Sequence, residues 1–382
     1  MKRTDNNLKL KFAFIIQDAN LMFILRKNQK KNSMLHTRLK NLFIVLFSLI
    51  IVGCNDNPLD VDTSKIDIKI QIKRFEQDFY KLKGSLQSDA AFEQGLSELK
   101  NKYGQFYYDW IEAPGMMGIG NADAPETKQV LKKILASQTL DRLMSIMNAH
   151  FKDFSSQEKE LTNAFKHFKY YFPNDSIPDI VTFFSNFSMT LNPIGQGYVG
   201  ISLDMHLGDT FYMYKSLQPP IENYFHKLLV PDNISALTLV ALGNDMFYTT
   251  NRENSFADNM FYWGRLLYFT EAMMPNLPKH LIIGYTPEEY KFCKEEEKNI
   301  WEYIIKEDIL YSTEKRTYMR YFTEGPFTTA PGVPPNTPPM LGKFVGWQAV
   351  HAFMKKNPSI TLKELMNMSD AETFLRKVKY KP

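Results

Sequence analysis

The chain has 382 residues, of which 23% are charged and 44% hydrophobic. That composition excludes a disordered polymer and a collagen, and the length suits one large domain or two ordinary ones. The formal charge of +4 is an average over two unlike parts. Residues 1–53 carry 10 Lys+Arg and 2 Asp+Glu, which leaves the other 329 residues with 36 basic and 40 acidic side chains, a net of −4. The basicity belongs to the leader, so charge gives no reason to expect a nucleic-acid partner.

Met34 to Lys40 is short and basic, and Leu42 to Val52 is apolar except for Ser48. Gly53 and Cys54 follow. A basic segment, an apolar run of about 7–15 residues and a small residue before the cut describe a secretory signal peptide. The run is shorter than the roughly 20 apolar residues of a spanning helix. A cysteine directly after the small residue resembles a bacterial lipobox, in which Cys54 is acylated and becomes the first mature residue. The alternatives are an ordinary signal peptide that contains a cysteine, or a buried core helix. Residues 1–33 are apolar in patches but interrupted by Gln17, Asp18 and Asn20. We expect translation to begin at Met34, with an unusually long basic region as the alternative. The predicted organisation is a leader over 1–53 with the signal at 34–53, a tether over 54–64, and a globular domain over 65–382.

After Cys54 the only cysteine is Cys293. No intrachain disulfide and no cysteine-based zinc site are expected. Ile66, Ile68, Ile70 and Ile72 alternate with polar residues, the pattern of a half-buried strand. Residues 77–172 carry helical spacing, as in Phe92, Leu96, Leu99 and Tyr103, with a loop over Ala113–Gly120. Ile180–Phe187 and the alternating Val199–Leu207 read as two strands of a hairpin. Phe256–Met274 reads as a buried helix. Thr286-Pro287-Glu288-Glu289 reads as a capping box opening a helix that runs to about Ile305. Gly325–Gly342 holds six prolines and three glycines and reads as a long irregular loop. Phe344–Lys355 and Leu362–Lys379 read as closing helices. The predicted fold class is α+β, a helix-rich single domain with a small antiparallel sheet.

Gly195-Gln-Gly197-Tyr-Val-Gly200 matches a dinucleotide-binding pattern, but a period-2 strand follows where that site needs a helix. It reads as a hairpin turn, and no cofactor is expected. The sequence contains no H-E-x-x-H, G-x-S-x-G, Walker A or paired C-x-x-C, so no catalytic residue or metal-ligand set is assigned. Asp204 and His206 share one strand face if that strand is regular. They are a candidate polar site, weighed against the solvated side of an amphipathic strand. Glu297 lies among Tyr290, Cys293, Ile300, Trp301 and Ile304 on a helical face. It is either a buried site, or an acid whose face is shifted or which is held in a structural ion pair.

An ordered set of weak motifs carries a resemblance. It runs Trp263-Gly264-Arg265, Gly284-Tyr-Thr-Pro287, Glu297-Lys-Asn-Ile-Trp301, Arg320-Tyr-Phe322, Gly325-Pro-Phe327, Gly346-Trp347-Gln348 and Lys379-Tyr-Lys-Pro382. With the lipobox, the strand leading into Arg74-Phe75 and Ser202–Gly208, the set resembles the gliding-motility lipoprotein GldB type of Bacteroidota-like bacteria. The resemblance implies an envelope lipoprotein that serves surface gliding and the linked secretion apparatus, with no catalytic residues to transfer. It is also distantly similar to a predicted zinc-peptidase group, whose H-E-x-x-H helix would correspond to Phe256–Met274, where this chain has no histidine.

The expected function is therefore a non-catalytic protein anchored in the cell envelope by lipid on Cys54, periplasmic or outer-membrane associated. Its expected partners are the membrane and other envelope or motility proteins. The alternatives are a zincin-like metallohydrolase with unusual ligands such as Asp204 and His206, and a ligand-binding lipoprotein using the loop Gly325–Gly342.

Overall fold

The computed structural model describes residues 57–382, apart from 189, 190, 251 and 253. The leader, the signal peptide and Cys54 lie outside the described residues. By internal contacts the chain divides into Met1–Pro58 and Leu59–Pro382, and the second unit carries one continuous hydrophobic core.

Extended chain leads into β1 (Ile72–Arg74) and then α1 (Phe75–Lys81). Four helices follow: α2 (Asp89–Tyr103), α3 (Gln105–Glu112), α4 (Pro125–Ala136) and α5 (Gln138–His150). The longer α6 (Ser155–Tyr171) returns the chain to the sheet strands β2 (Asp179–Phe183), β3 (Ile194–Gly195) and β4 (Tyr198–Ser202). The second half is helical. It comprises α7 (Ile234–Phe247), α8 (Phe256–Met273), α9 (Lys279–Ile283), α10 (Pro287–Glu295) and α11 (Glu297–Lys306). Then come α12 (Lys315–Tyr318), α13 (Leu341–Lys356), α14 (Leu362–Asn367) and α15 (Ala371–Val378). The helix-rich α+β class holds, and the residues between α12 and α13 form the irregular Pro/Gly-rich loop.

The sheet departs from the expected antiparallel hairpin. Its order is β1-β2-β4-β3, and β1–β2 and β2–β4 are parallel; only the short β3 pairs antiparallel with β4. The chain leaves β2, returns outside β4, and turns at Gln196-Gly197, where Gly197 takes a φ of +80°. The alternation over Val199–Leu207 is therefore misleading. All five residues of β4 are buried, as expected for a strand covered on both faces, and after Ser202 the chain coils into a 3-10 turn at Leu203–Met205.

The isoleucine strand is also shorter than expected. Burial alternates from Ile66 to Ile72 as the sequence indicates, yet only Ile72–Arg74 pair with a strand. The reason is local competition for the backbone. Ile70 N–H donates to Thr162 Oγ1 at 3.1 Å and Ile72 N–H to Glu158 Oε1 at 3.2 Å, both on α6. The single helix expected over 286–305 is broken at Glu296, although its capping box at Thr286 and Glu289 forms.

The centre of the helical half is the crossing of α8 and α13. A Cβ on Gly264 would lie 2.3 Å from the carbonyl oxygen of Gly346, and one on Gly346 would lie 2.0 Å from that of Met260. The two backbones touch because both helices carry glycine there. That register is what brings the later turns of the two helices together.

Candidate functional site

Asp204 and His206 are not on a solvated strand face. Both are fully buried, on and just after the 3-10 turn that ends β4. The Asp204 carboxylate accepts from the N–H of Ser185 at 2.9 Å and of Phe187 at 2.7 Å, and from the Ser202 hydroxyl at 2.9 Å. Its own carbonyl accepts from the Tyr214 hydroxyl, which in turn accepts from the N–H of Leu207. The aspartate thus ties the chain leaving β2 to the turn leaving β4. Burial pushes its carboxyl above the ordinary range, and the hydrogen bonds only partly oppose this.

His206 points elsewhere. Its Nδ1 lies 2.8 Å from the carbonyl oxygen of Ser202, and Nε2 is buried without a partner. Burial pushes this imidazole down to about 4, so at neutral pH the ring is uncharged, with Nδ1–H donating. The two residues share no ligand position. Among the described residues, no group of three His, Cys, Asp or Glu side chains is placed to hold a metal ion.

Glu297 is the structural ion pair weighed from the sequence. It opens α11, accepts from Lys294 Nζ at 2.5 Å, and receives the hydroxyl of Tyr380 near the C-terminus. Tyr380 also packs its ring on Trp301 at 5.2 Å, so this carboxylate fastens the chain's end to α11. Cys293 is buried one turn earlier, and burial pushes its thiol up to about 12. It is an inert core thiol rather than a nucleophile.

The polar group that reaches solvent from the core was not singled out in the sequence. Glu271 sits in the last turn of α8 and is only 3% exposed. One oxygen accepts from Trp347 Nε1 at 2.9 Å and lies 2.6 Å from His351 Nε2; the other pairs with Lys279 Nζ at 2.7 Å. Burial raises the carboxyl, but His351 and Lys279 outweigh it and hold the group below its ordinary value. His351 is 39% exposed and stacks edgewise on Tyr268 at 5.0 Å. The site follows from the glycine crossing. Glu271 lies two turns beyond Gly264, while Trp347 and His351 lie one and five residues beyond Gly346, so close approach of the backbones aligns them.

Among the described residues three other charged side chains are buried, Glu76, Arg265 and Lys343, and Arg265 Nε has no hydrogen-bond partner. Glu76 pairs with Arg74 at 2.5 Å and accepts from Thr182 at 2.7 Å. Arg265 has no carboxylate partner among the described residues. It donates to the carbonyls of Met366 at 2.7 Å and Leu365 at 3.4 Å in the last turn of α14, where a helix favours a cation. It also lies over the Phe261 ring at 4.5 Å, and burial lowers it to about 10.

A carboxylate bonded to a half-exposed imidazole can pass a proton or hold a charged group of a partner. Among the described residues, no hydroxyl or thiol is hydrogen-bonded to His351.

A family model described as gliding motility protein GldB matches residues 56–382. No curated protein and no solved structure matches. The match covers most of the chain and every one of the described residues. Among those residues, no helix is long and apolar enough to cross a membrane.

Proposed function

We propose that this chain, which belongs to the gliding motility protein GldB family, is a lipid-anchored, non-catalytic protein of the cell envelope. It serves gliding motility, or the secretion machinery linked to it, through contacts with other envelope proteins. The observation that carries this reading is where the family match begins. It starts at residue 56, two residues past the Ile51-Val52-Gly53-Cys54 sequence that ends the basic and apolar leader. Signal, acylation site and family body therefore follow in the order a lipoprotein requires. Acyl chains contribute about 0.8 kcal/mol per buried methylene, so two or more on Cys54 hold the protein stably on a bilayer.

The metallohydrolase alternative loses the ligands named for it. Asp204 has its oxygens occupied by backbone and serine donors, and His206 faces the core. The Glu271 cluster carries its own compensating cation in Lys279, which favours a structural or docking role over metal binding.

The test is deletion and complementation in a gliding host. Deletion is expected to abolish colony spreading, and the unaltered gene to restore it. Cys54→Ser is expected to lose incorporation of labelled fatty acid, to leave the membrane fraction, and not to restore spreading. His351→Ala, expressed at equal abundance, is expected to restore it. Spreading unaffected by deletion, or fully restored by unacylated Cys54→Ser, would overturn the proposal. Failure of a stable, abundant His351→Ala protein would point to chemistry at that imidazole instead.

A further inference from the structure

We propose that the surface where the chain enters the fold, beside the C-terminal ends of α6 and α8, rests on the bilayer interface, with Tyr170 at headgroup depth. The inference rests on acylation of Cys54. It commits to one contact, a lipid surface, and to one orientation of the body upon it.

The entry point is fixed by three interactions. The carbonyl of Leu59 accepts from the Tyr171 hydroxyl at 3.5 Å, Asp60 accepts from Asn276 Nδ2 at 3.3 Å, and Asp60 lies 3.9 Å from His167 Nε2. Leu59 itself is buried. Tyr171 and His167 belong to the last turns of α6, and Asn276 lies just beyond α8. From Leu59 back to Cys54 is five residues, and an extended chain covers at most about 3.3–3.6 Å per residue, roughly 18 Å in all. A body of the size of Leu59–Pro382 has a radius of gyration of about 20 Å. The tether is therefore no longer than the body's own radius. A lipid on Cys54 cannot let the body turn its far side to the membrane; it holds the entry surface toward it.

The side chains at that surface suit the contact. Tyr170 is 50% exposed and packs its ring edge-on against Tyr171 at 5.0 Å. An exposed tyrosine, braced by a second one, has the apolar body and polar tip that settle at a membrane–water interface. The Glu271 cluster belongs to the same end of the molecule, because Lys279 donates to the carbonyl of Pro275 as well as to Glu271.

The far end is equally well marked. The first turn of α8 is bound by the segment around Tyr311, with the N–H groups of Phe256 and Ala257 donating to the carbonyls of Ser312 and Leu310, each at 3.0 Å. The 18 residues of α8 span about 27 Å, so Tyr311, 60% exposed, lies about that far from the entry. A polar pocket of about 400 Å³, lined by Arg252, Asp258, Tyr311, Asp370 and Glu372 among others, opens there. In this orientation it faces away from the lipid, toward soluble or protein partners.

The experiment uses the full acylated lipoprotein, made in a host that processes lipoproteins and reconstituted into phosphatidylethanolamine vesicles. Tyr170→Cys and Tyr311→Cys are each labelled with an environment-sensitive fluorophore. Both positions are exposed, while Cys293 is buried with its thiol pushed up to about 12 and acylation blocks the Cys54 sulfur, so labelling is selective. Vesicle flotation reports anchoring, and quenching by nitroxide-bearing lipids reports orientation. The proposal expects flotation of both variants, a blue shift and loss of fluorescence at position 170, and neither at position 311. Flotation with equal quenching at both positions, or with more at 311, overturns the orientation and leaves the anchor standing. Absence of flotation overturns the anchor and the orientation with it.

Discussion

Two buried carboxylates divide the molecule between them. Asp204 locks the turn at the end of the sheet, and Glu271 sits two turns past the crossing of the two central helices of the C-terminal half. Each accepts several hydrogen bonds in a water-poor site, yet they titrate in opposite directions. At Asp204 burial prevails and the carboxyl is raised; at Glu271 burial is outweighed and the carboxyl is lowered. The difference lies in the donors. Asp204 is held by backbone amides and serine hydroxyls, which orient an anion without cancelling its charge. Glu271 is held by Lys279 and His351 as well as Trp347. Neutral donors build a rigid knot. Cations with partly exposed side chains build a site that communicates with solvent and can exchange partners.

The largest effect is expected where the knot is cut. Asp204→Ala removes the acceptor for a buried N–H, a part-buried N–H and a buried hydroxyl at once. Each orphaned donor costs about 1–3 kcal/mol, so a loss of about 3–5 kcal/mol is expected in urea unfolding. A loss below about 1 kcal/mol would mean that water or rearranged serines replace the carboxylate and that the turn is not the rigid element described.

The same turn should carry a pH signature through His206. Its ordinary pKa of 6.5 falls to about 4 in the fold, so the unfolded chain binds the proton more readily. Stability is then full above pH 6.5 and declines as the pH falls toward 4. The linkage is about 1.4 kcal/mol per unit, so the decline sums to roughly 3 kcal/mol. His206→Asn, which keeps a donor for the Ser202 carbonyl, should flatten the unfolding free energy over this window. An unchanged slope in the variant would show that the ring is not buried as a neutral imidazole.

The two carboxylates were unequally legible in the sequence. Asp204 and His206 were visible as a polar pair, but the regular alternation around them indicated a solvated face. Period-2 spacing cannot distinguish a strand from the start of a 3-10 turn, and β4 ends at Ser202. The parallel pairing of β2 with β4 was hidden for a related reason, since both are short apolar runs joined by a segment of hairpin length. Glu271 was present inside a helix correctly read as buried, and its partner His351 lies 80 residues away on another helix. Only one signal was available: an acid on the buried side of a largely apolar helix demands a compensating charge. Gly264 and Gly346 belong to the family pattern, while their physical role, contact of two backbones, depends on a crossing that neither helix encodes alone. What spacing does determine is legible in the sequence. The buried helix over 256–273, the capping box at Thr286 and the turn at Gly197 all follow from local rules.

A smaller effect of the same sign is expected at Glu271. Glu271→Gln keeps the shape and one acceptor but removes the charge that Lys279 and His351 share. Those partners are about a third exposed, so water replaces much of the lost attraction, and the expected cost at neutral pH is about 1–2 kcal/mol. Because the folded carboxyl lies below its ordinary 4.5, its contribution is present above pH 4.5 and is lost as the pH falls through the lower folded value. The variant should therefore differ from the unaltered protein near neutrality and converge with it in acid. His351→Ala removes only one of the three partners and should cost less still, within about 1 kcal/mol. Equilibrium unfolding of both variants at pH 7 and at successively lower pH separates the cases. If Glu271→Gln matched Asp204→Ala in cost and did not converge in acid, both carboxylates would be sealed knots. The contrast between a locked turn and an open helix crossing would then fail.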